Sequence, residues 1–228
     1  MPYGRIDSSA QDFAQKAATL LSTHIRYVLG VRGRCVLGLS GGSTPKLVYE
    51  LLGKDPAIDW RAVSVFLIDE RYVPPTHADS NEKMIRETLL KTAPIPSSQC
   101  IFPRTDLPLP ACAEDYARRI TAMLEDEPAD IAVLGIGEDG HTASLFPKLG
   151  DEAFEDDIVI VTTTDKFAVR ERISISLPFL TKIKLPIFLL QGEKKRAVWD
   201  EMIGASVDLR RWPAQAILAT ERAVAMIG

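Results

Sequence analysis

Cysteine and histidine are both scarce in this chain, with three of each among 228 residues. The cysteines are widely spaced and include no C-x-x-C pair, which argues against a disulfide framework and a cysteine-bound zinc site; they are Cys35, Cys100 and Cys112. The histidines show no H-E-x-x-H spacing; they are His24, His77 and His141. We therefore expect a protein without a bound metal ion or other cofactor.

Long apolar runs and an excess of basic charge are also missing. The longest apolar runs, such as Ile187–Leu190, fall far short of the roughly 20 residues that span a bilayer, and residues 1–7 lack the apolar core of a signal peptide. The 27 basic and 31 acidic residues leave a net charge of -4 with no basic patch. We therefore expect a cytoplasmic protein that binds neither membrane nor nucleic acid.

What is present is the composition of an ordinary soluble globular protein, with 46% hydrophobic and 25% charged residues. A length of 228 residues suffices for one sizeable core, and the chain shows no repeat and no linker. We predict that residues 1–228 form a single domain. No extended apolar stripe is left over on the predicted helices, which favours a monomer.

Short apolar runs alternate with helical patterns along most of the chain. The runs are nearly continuous, which is typical of strands buried on both faces of a parallel sheet. The predicted strands are 35–39, 63–68, 131–134, 158–161 and 186–190. The predicted helices are 10–29 with a cap at Ser8 or Ser9, 45–53 with a cap at Thr44, 81–91, 111–125 and 193–203. Residues 94–110 read as a connection with one short strand. The pattern predicts an α/β fold with a mostly parallel central sheet between helices.

Ligands of such folds bind beyond the carboxyl ends of the parallel strands. Polar segments follow four of the predicted strands: Ser40–Thr44, Asp69–Arg71, Gly137–His141 and Gln191–Lys195. We expect these four segments to converge on one site.

The first segment is a short turn with two glycines ahead of a helix. Backbone amides of such a turn approach an anion closely and the helix dipole favours negative charge, so we predict phosphate binding by Ser40, Gly41, Gly42, Ser43 and Thr44. A capped tight turn without a ligand is the structural alternative. Gly38–Gly42 also matches G-x-S-x-G, but the single predicted strand and helix before it do not fit an α/β-hydrolase, where several strands precede this motif.

The third segment places Asp139 and His141 on a glycine-lined turn. A neutral imidazole is a competent base near neutral pH, and Asp139 is close enough in sequence to orient it; the alternative is a histidine that caps a following short helix. Gly135, Gly137 and Gly140 also spell the dinucleotide fingerprint G-x-G-x-x-G. That fingerprint needs a helix from the last glycine onward, and Pro147 leaves room for a short one at best.

The other two segments carry charge. Arg71 has the donors to stabilise a phosphate or an oxyanion, with Asp69 or Glu70 to orient it, and Asn81 is a cap or a ligand contact. A salt-bridged corner is the alternative for these charges. Positive charge for the same anion can come from Lys194 or Lys195, and from Arg170 or Arg172.

Taken together, four motifs resemble those of the 6-phosphogluconolactonase family in sequence, order and spacing. They are G-L-S-G-G-S-T-P at 38–45, D-E-R-Y-V-P at 69–74, D-S-N at 79–81 and G-I-G-E-D-G-H-T-A-S-L-F-P at 135–147. The resemblance runs from about residue 34 to residue 200. It implies a Rossmann-like three-layer α/β sandwich, shared with glucosamine-6-phosphate deaminases and ribose-5-phosphate isomerases.

The resemblance implies metal-free hydrolysis of 6-phosphoglucono-1,5-lactone in the oxidative pentose phosphate pathway. It assigns His141 as the base that activates water and Arg71 as a contact of the substrate and its growing charge. Phosphate binding falls to Gly41–Thr44 with Arg172 and Lys195. Lys194 and Arg170 stay open, because Arg196 follows Lys195 where the family has a small residue and Ser174 stands where it usually has threonine.

Two other functions fit the same fold. Deaminases of this fold have an Asn-Glu-Pro ending after the histidine and a tyrosine after Asp-Glu, whereas this chain has Ser144–Pro147 and Arg71. A sugar-phosphate sensor usually carries a helix-turn-helix, and residues 1–33 are predicted to hold only one helix.

Overall fold

The computed structural model describes residues 3–228, and its centre is a seven-stranded sheet in which all neighbouring strands are parallel. The strands are β1 (Gly4–Asp7), β2 (Cys35–Leu39), β3 (Val63–Leu67), β4 (Asp69–Arg71), β5 (Cys100–Ile101), β6 (Ile131–Leu134), β7 (Val159–Thr163), β8 (Glu171–Ile175), β9 (Leu185–Leu190) and β10 (Val224–Ile227). The order across the central sheet is β1-β10-β9-β6-β2-β3-β5. Among residues 3–228, no helix has both the length and the apolar character to cross a membrane.

Helices cover both faces of this sheet. They are α1 (Phe13–Arg32), α2 (Ser43–Leu52), α3 (Asn81–Glu87), α4 (Leu109–Leu124), α5 (Leu177–Lys182), α6 (Glu193–Gly204) and α7 (Ala214–Leu218). Strand residues alternate between two cores: Leu37 and Leu39 pack with α1 and α2, while Val36 and Phe66 pack with α4, α6 and α7. Both faces bury apolar side chains, as the continuous apolar runs indicated. The predicted α/β sandwich with a parallel central sheet is confirmed.

A separate three-stranded antiparallel sheet has the order β4-β8-β7. The prediction that residues 158–161 form a strand of the parallel sheet was therefore wrong in its placement. Val159 and Ile160 are buried against the α4 side of the central sheet, while Thr163 is exposed. An apolar run of four residues is too short to distinguish a strand of the central sheet from one that covers it.

Helix boundaries differ from the predictions where local caps intervene. The first helix begins at Phe13 rather than residue 10, because Ser9 Oγ accepts the Asp12 amide in the preceding turn. The second begins at Ser43 rather than residue 45, directly after Gly42 at φ 102°. Helix α3 ends at Glu87 and continues only as a 3₁₀ turn, Leu89–Lys91. Strands β1 and β10 were not predicted.

The strand order places the site. Strands β9, β6, β2 and β3 are consecutive neighbours, and their carboxyl ends lie on one edge of the sheet. The segments that follow them begin at Gln191, Gly135, Ser40 and Ile68. Side chains distant in sequence therefore meet at one edge.

Candidate active site

A cleft opens at this edge, and all four predicted segments contribute to it. Its lining residues are Ser40, Gly41, Gly42, Asp69, Arg71, Asn81, Gly135, Ile136, Gly137, His141, Ala143 and Lys195. Ser43, Thr44, Asp139 and Arg172, which were also predicted as site residues, are absent from the lining and lie beside it. The sequence-based selection therefore combined lining residues with residues that support them.

The turn after β2 brings backbone to the cleft. Gly41 packs so closely on Asn81 that a Cβ at this position would lie 1.8 Å from Asn81 Oδ1. Gly42 has φ 102°, a conformation that favours glycine, and directly precedes α2. The first amides of this ten-residue helix and its dipole therefore lie at the cleft. An anion is the group that such a helix end stabilises.

Ser40 differs from an esterase nucleophile in its contacts. Its carbonyl accepts the Tyr49 hydroxyl at 3.0 Å, but its buried Oγ has no hydrogen-bond partner within residues 3–228. A serine nucleophile needs a base within hydrogen-bond reach. The unpartnered hydroxyl lines the cleft instead, where a polar ligand group can pair with it.

The His141 turn is closed by backbone bonds and contains no helix. The Gly137 amide donates to the His141 carbonyl at 2.8 Å, and a Cβ on Gly137 would lie 2.1 Å from the His141 ring. Thr142 and Leu145 form an isolated bridge, and Ala143 and Lys148 have positive φ. The alternative in which His141 caps a following short helix does not hold, because the next helical segment is the 3₁₀ turn at Asp151–Phe154. A dinucleotide site would lack its helix N-terminus.

His141 and Asp139 form a direct pair. The distance from His141 Nδ1 to Asp139 Oδ1 is 2.5 Å, and the His141 amide also donates to Oδ1 at 3.2 Å. Burial raises the pKa of the Asp139 carboxyl, but its bonds to His141 and Lys166 outweigh burial and hold that pKa well below its ordinary value. An ionised carboxylate only accepts, so Nδ1 carries the proton and Nε2 is left as the basic nitrogen.

Aromatic rings and Arg172 surround the imidazole. Ring centroids of Phe146 and Phe167 lie 4.9 and 5.8 Å from that of His141. The Arg172 guanidinium lies over both phenyl rings, at 5.9 and 5.5 Å. Burial, and secondly the guanidinium of Arg71, lower the pKa of Arg172. The two rings and the guanidinium therefore pack on one side of the base.

The segment after β3 is organised by a buried carboxylate. Glu70 accepts the amides of Arg71, Asn81 and Glu82 at 2.7–2.8 Å and the Ser80 hydroxyl at 3.1 Å. Burial raises the pKa of Glu70 to about 7, although the backbone bonds act in the opposite direction. This one side chain fixes both Arg71 and the start of α3.

Three predicted residues are held by that arrangement. Asn81 Nδ2 donates to the Asp69 carbonyl at 2.9 Å, and Ser144 Oγ donates to Asp69 Oδ2 at 2.6 Å. Arg71 Nη1 donates to the Asp79 carbonyl at 2.7 Å, while its buried Nε has no partner within the described chain. Arg71 therefore retains an unused donor beside the cleft.

The two lysines and the two arginines that were alternative phosphate contacts differ in their surroundings. Lys195 Nζ donates to Thr44 Oγ1 at 2.8 Å and lines the cleft, whereas Lys194 is exposed and pairs with Glu138. Burial lowers the pKa of Lys195, so an anion beside it would restore a lost stabilisation. Arg172 is buried opposite Arg71 in the β4–β8 pair, while Arg170 is exposed and pairs with Asp165.

The sequence analysis missed two supporting residues. They are Lys166 on Asp139 Oδ2 at 2.9 Å and Arg211 on the Asp139 carbonyl at 2.7 Å. Glu70 was named only as an alternative to Asp69 for orienting Arg71, and its contacts with Ser80, Asn81 and Glu82 were not foreseen. Lys166 and Arg211 lie in irregular segments far from the turn in sequence, and no local pattern marks them.

Comparison with known proteins gives the family of the chain. The family model described as glucosamine-6-phosphate isomerases/6-phosphogluconolactonase matches residues 8–226. The chain belongs to this family. Curated relatives of this family member include the "Probable 6-phosphogluconolactonase" of Dictyostelium discoideum, 36% identical over 91% of this chain and 90% of the relative. The human 6-phosphogluconolactonase is 35% identical over 85% of this chain and 75% of the relative.

Solved structures of the family show the same fold. The 6-phosphogluconolactonase of Thermotoga maritima superposes with a TM-score of 0.90 at 27% identity and covers 99% of both chains. That of Plasmodium vivax superposes at 0.89 with 29% identity, covering 98% of this chain and 89% of the other.

Proposed function

We propose that this family member hydrolyses 6-phosphoglucono-1,5-lactone to 6-phosphogluconate, the second step of the oxidative pentose phosphate pathway. The relatives named above are lactonases by name. The observation that carries the proposal is the His141–Asp139 pair in a cleft that also holds a cationic lysine beside a helix N-terminus.

The reaction needs one base and one stabilised oxyanion. His141 Nε2 takes a proton from water as the water oxygen attacks the lactone carbonyl carbon, and Asp139 stabilises the imidazolium that forms. Charge grows on the carbonyl oxygen, and the unused Arg71 Nε is the donor we assign to it. Cleavage of the bond between C1 and the ring oxygen then returns the proton from His141 to that oxygen.

Binding of the substrate phosphate positions the lactone ring. Gly41 and Gly42 supply backbone amides, Ser40 supplies an unpartnered hydroxyl and Lys195 supplies charge. Thr44 orients Lys195, and Arg172 adds positive charge from behind the phenyl rings. Binding energy at the phosphate is used to align the carbonyl for attack.

Substrate choice tests the proposal. We expect acid release from the phosphorylated lactone, measured in a pH-stat after subtraction of spontaneous hydrolysis, and no ammonia from glucosamine 6-phosphate. Unphosphorylated gluconolactone is the matched control, and its kcat/KM should fall by about 100-fold or more, since a charged contact contributes roughly 1.5–3 kcal/mol. Ammonia without acid identifies a deaminase, and binding without either product identifies a sensor.

We also propose that the enzyme works in the cytoplasm as a monomer without a cofactor. Hydrolysis by water and a histidine base requires no electron or group carrier. Large exposed apolar side chains lie on several elements: Tyr27 and Val31 on α1, Leu47 on α2, Phe167 between β7 and β8, and Val207 after α6. Sedimentation velocity at micromolar concentration tests the monomer, and a dimer mass contradicts it.

A further inference from the structure

The Asp139 carboxylate is shared between two partners. Its Oδ1 atom faces His141 Nδ1 at 2.5 Å, while Oδ2 accepts Lys166 Nζ at 2.9 Å. The carboxylate side chain is 15% exposed and that of Lys166 is 57% exposed, so the lysine closes the outer side of a largely buried acid. With both oxygens occupied, rotation of the carboxylate about its own axis breaks both bonds.

Lys166 is itself held in place by the loop that carries it. This loop, residues 164–170 between β7 and β8, is closed by the Thr164 amide on the Arg170 carbonyl at 3.1 Å. The Lys166 amide donates to Thr164 Oγ1 at 3.2 Å, and the next side chain, Phe167, contacts the His141 ring edge-on. Ion pair and aromatic contact therefore come from adjacent residues and reach the two members of the His141–Asp139 pair.

We propose that Lys166 is a positioning residue of the His141–Asp139 pair: its ammonium fixes the Asp139 carboxylate on His141 and limits how strongly that carboxylate stabilises a protonated imidazole. A lone carboxylate would hold the imidazolium more tightly and delay its release of the proton to the ring oxygen. A carboxylate already paired with an ammonium stabilises the imidazolium less, because the two positive charges repel.

Several other charged groups lie around the His141–Asp139 pair. Those that face it are Arg211 on the Asp139 carbonyl, Arg71 and Lys195 across the cleft, Arg172 behind the phenyl rings, and the neighbouring Glu138–Lys194 pair. Within residues 3–228, Lys166 is the cation of this group that is hydrogen-bonded to the carboxylate itself. Removing it therefore takes away the positive charge bonded to the Asp139 carboxylate without removing a lining residue of the cleft.

The test compares Lys166→Met with Lys182→Met and Lys166→Arg. Lys182 is a matched control, because it is 59% exposed and donates to Asp156 at 2.7 Å, away from the cleft. We expect Lys166→Met to lower kcat about threefold to tenfold, as loss of alignment does, with KM within about twofold. In the plot of kcat against pH, the acid limb should move up by about half a pH unit, since the imidazolium gains stability. Lys166→Arg should restore both kcat and the position of the acid limb.

A second measurement does not depend on turnover. The chain has only three histidines, so ¹H–¹³C spectra of labelled imidazoles resolve each ring, and His24→Gln and His77→Gln assign them. We expect the titration midpoint of His141 to rise in Lys166→Met and to stay unchanged in Lys182→Met. An unchanged midpoint in folded Lys166→Met overturns the inference.

The kinetic arm rests on the proposed function, and the two failures are distinguishable. If the wild-type protein does not hydrolyse the lactone, the proposed function fails while the spectra still test Lys166. If the wild type is active and Lys166→Met loses activity with no movement of the acid limb, the residue is merely structural and the inference is wrong.

Discussion

Contacts with several neighbouring residues hold His141 in place. Asp139 occupies Nδ1, the Gly137 amide holds the His141 carbonyl, and Phe146 and Phe167 pack near the ring. The imidazole needs no rearrangement before it accepts a proton, and such preorganisation is what lowers a barrier.

Replacing this base gives the most direct residue-scale prediction. His141→Ala should lower kcat for lactone hydrolysis by about 10²- to 10⁴-fold, the usual contribution of a general base, with KM changed little. The side chain is partly exposed, so we expect an unchanged circular dichroism spectrum. Initial rates corrected for spontaneous hydrolysis measure the effect. Turnover equal to wild type at all substrate concentrations contradicts the assignment.

Asp139 predicts a pH dependence of stability. The pKa of the Asp139 carboxyl in the folded state lies below its ordinary value of 3.8. The stabilisation that the ionised carboxylate gives to the folded protein is therefore fully present above pH 3.8, and it is lost as the pH falls through the folded-state pKa. At pH 7 the free energy of unfolding of Asp139→Asn should therefore be about 1–3 kcal/mol lower than that of the wild type, which is what a charged hydrogen bond contributes. This difference in the free energy of unfolding should become smaller below about pH 4. Urea unfolding of both proteins from pH 3 to 7 measures this difference. A difference that stays constant down to pH 3 disproves the link between Asp139 ionisation and stability.

The residue scale also shows where sequence reasoning ends. Asp139 and His141 are two positions apart on a glycine-rich turn, so their pairing could be anticipated from sequence. Lys166 reaches Asp139 from another loop and Arg211 from the segment before α7. Contacts of that kind follow from the packing of whole elements, which single-sequence patterns do not specify.

At the scale of elements, the turn between β2 and α2 and the start of α3 depend on one close approach. Gly41 lies against Asn81, and Asn81 in turn holds the Asp69 carbonyl. The turn after β2 and the Asp69–Arg71 strand are therefore coupled through a single side chain. A side chain on Gly41 would separate them.

Two glycine substitutions test this coupling. Gly41→Ala should lower the free energy of unfolding by about 1–3 kcal/mol through overpacking and raise KM for the phosphorylated lactone about tenfold. Gly30→Ala is the control, because Gly30 is exposed in α1 with open space around it. That change should raise the unfolding free energy by about 0.5–1 kcal/mol and leave KM unchanged. Equal KM values for Gly41→Ala and wild type would refute the coupling.

Elements were predictable where their signal was local and long. The strands at 35–39 and 131–134 agree with the prediction to the residue, and the 3.6-residue period of α1 and α4 identified them. Residues 158–161 were assigned to the wrong sheet, since in sequence a short apolar strand of the central sheet looks like one that covers that sheet. Strands β1 and β10 have only four residues each, and β1 pairs with β10 from the opposite end of the described chain.

At the scale of the whole molecule, the central sheet separates two cores, and five of its strands, β2, β3, β6, β9 and β10, contribute side chains to both. Trp60 lies in the core with α1 and α2, whereas Trp199 and Trp212 lie in the core with α4 and α6. Loss of either core exposes one face of the same sheet. We therefore propose that the two halves unfold together as one domain.

Fluorescence can test this on each side of the sheet. In Trp60→Phe only the α4-side tryptophans report, and in the double variant Trp199→Phe, Trp212→Phe only Trp60 reports. Within each variant, the fluorescence and far-ultraviolet circular dichroism transitions in urea should coincide within error. Separate midpoints for the two probes would show that the cores unfold independently.

The pairing of β1 with β10 has a consequence for synthesis on the ribosome. Strand β1 has β10 as its neighbour in the sheet, and β10 is the last of the strands described to be made. At roughly 5–20 residues per second, β1 waits on the order of ten seconds or more for its hydrogen-bond partner. Throughout that interval β1 lacks its pairing strand, and chaperones that hold extended segments have their opportunity to bind it.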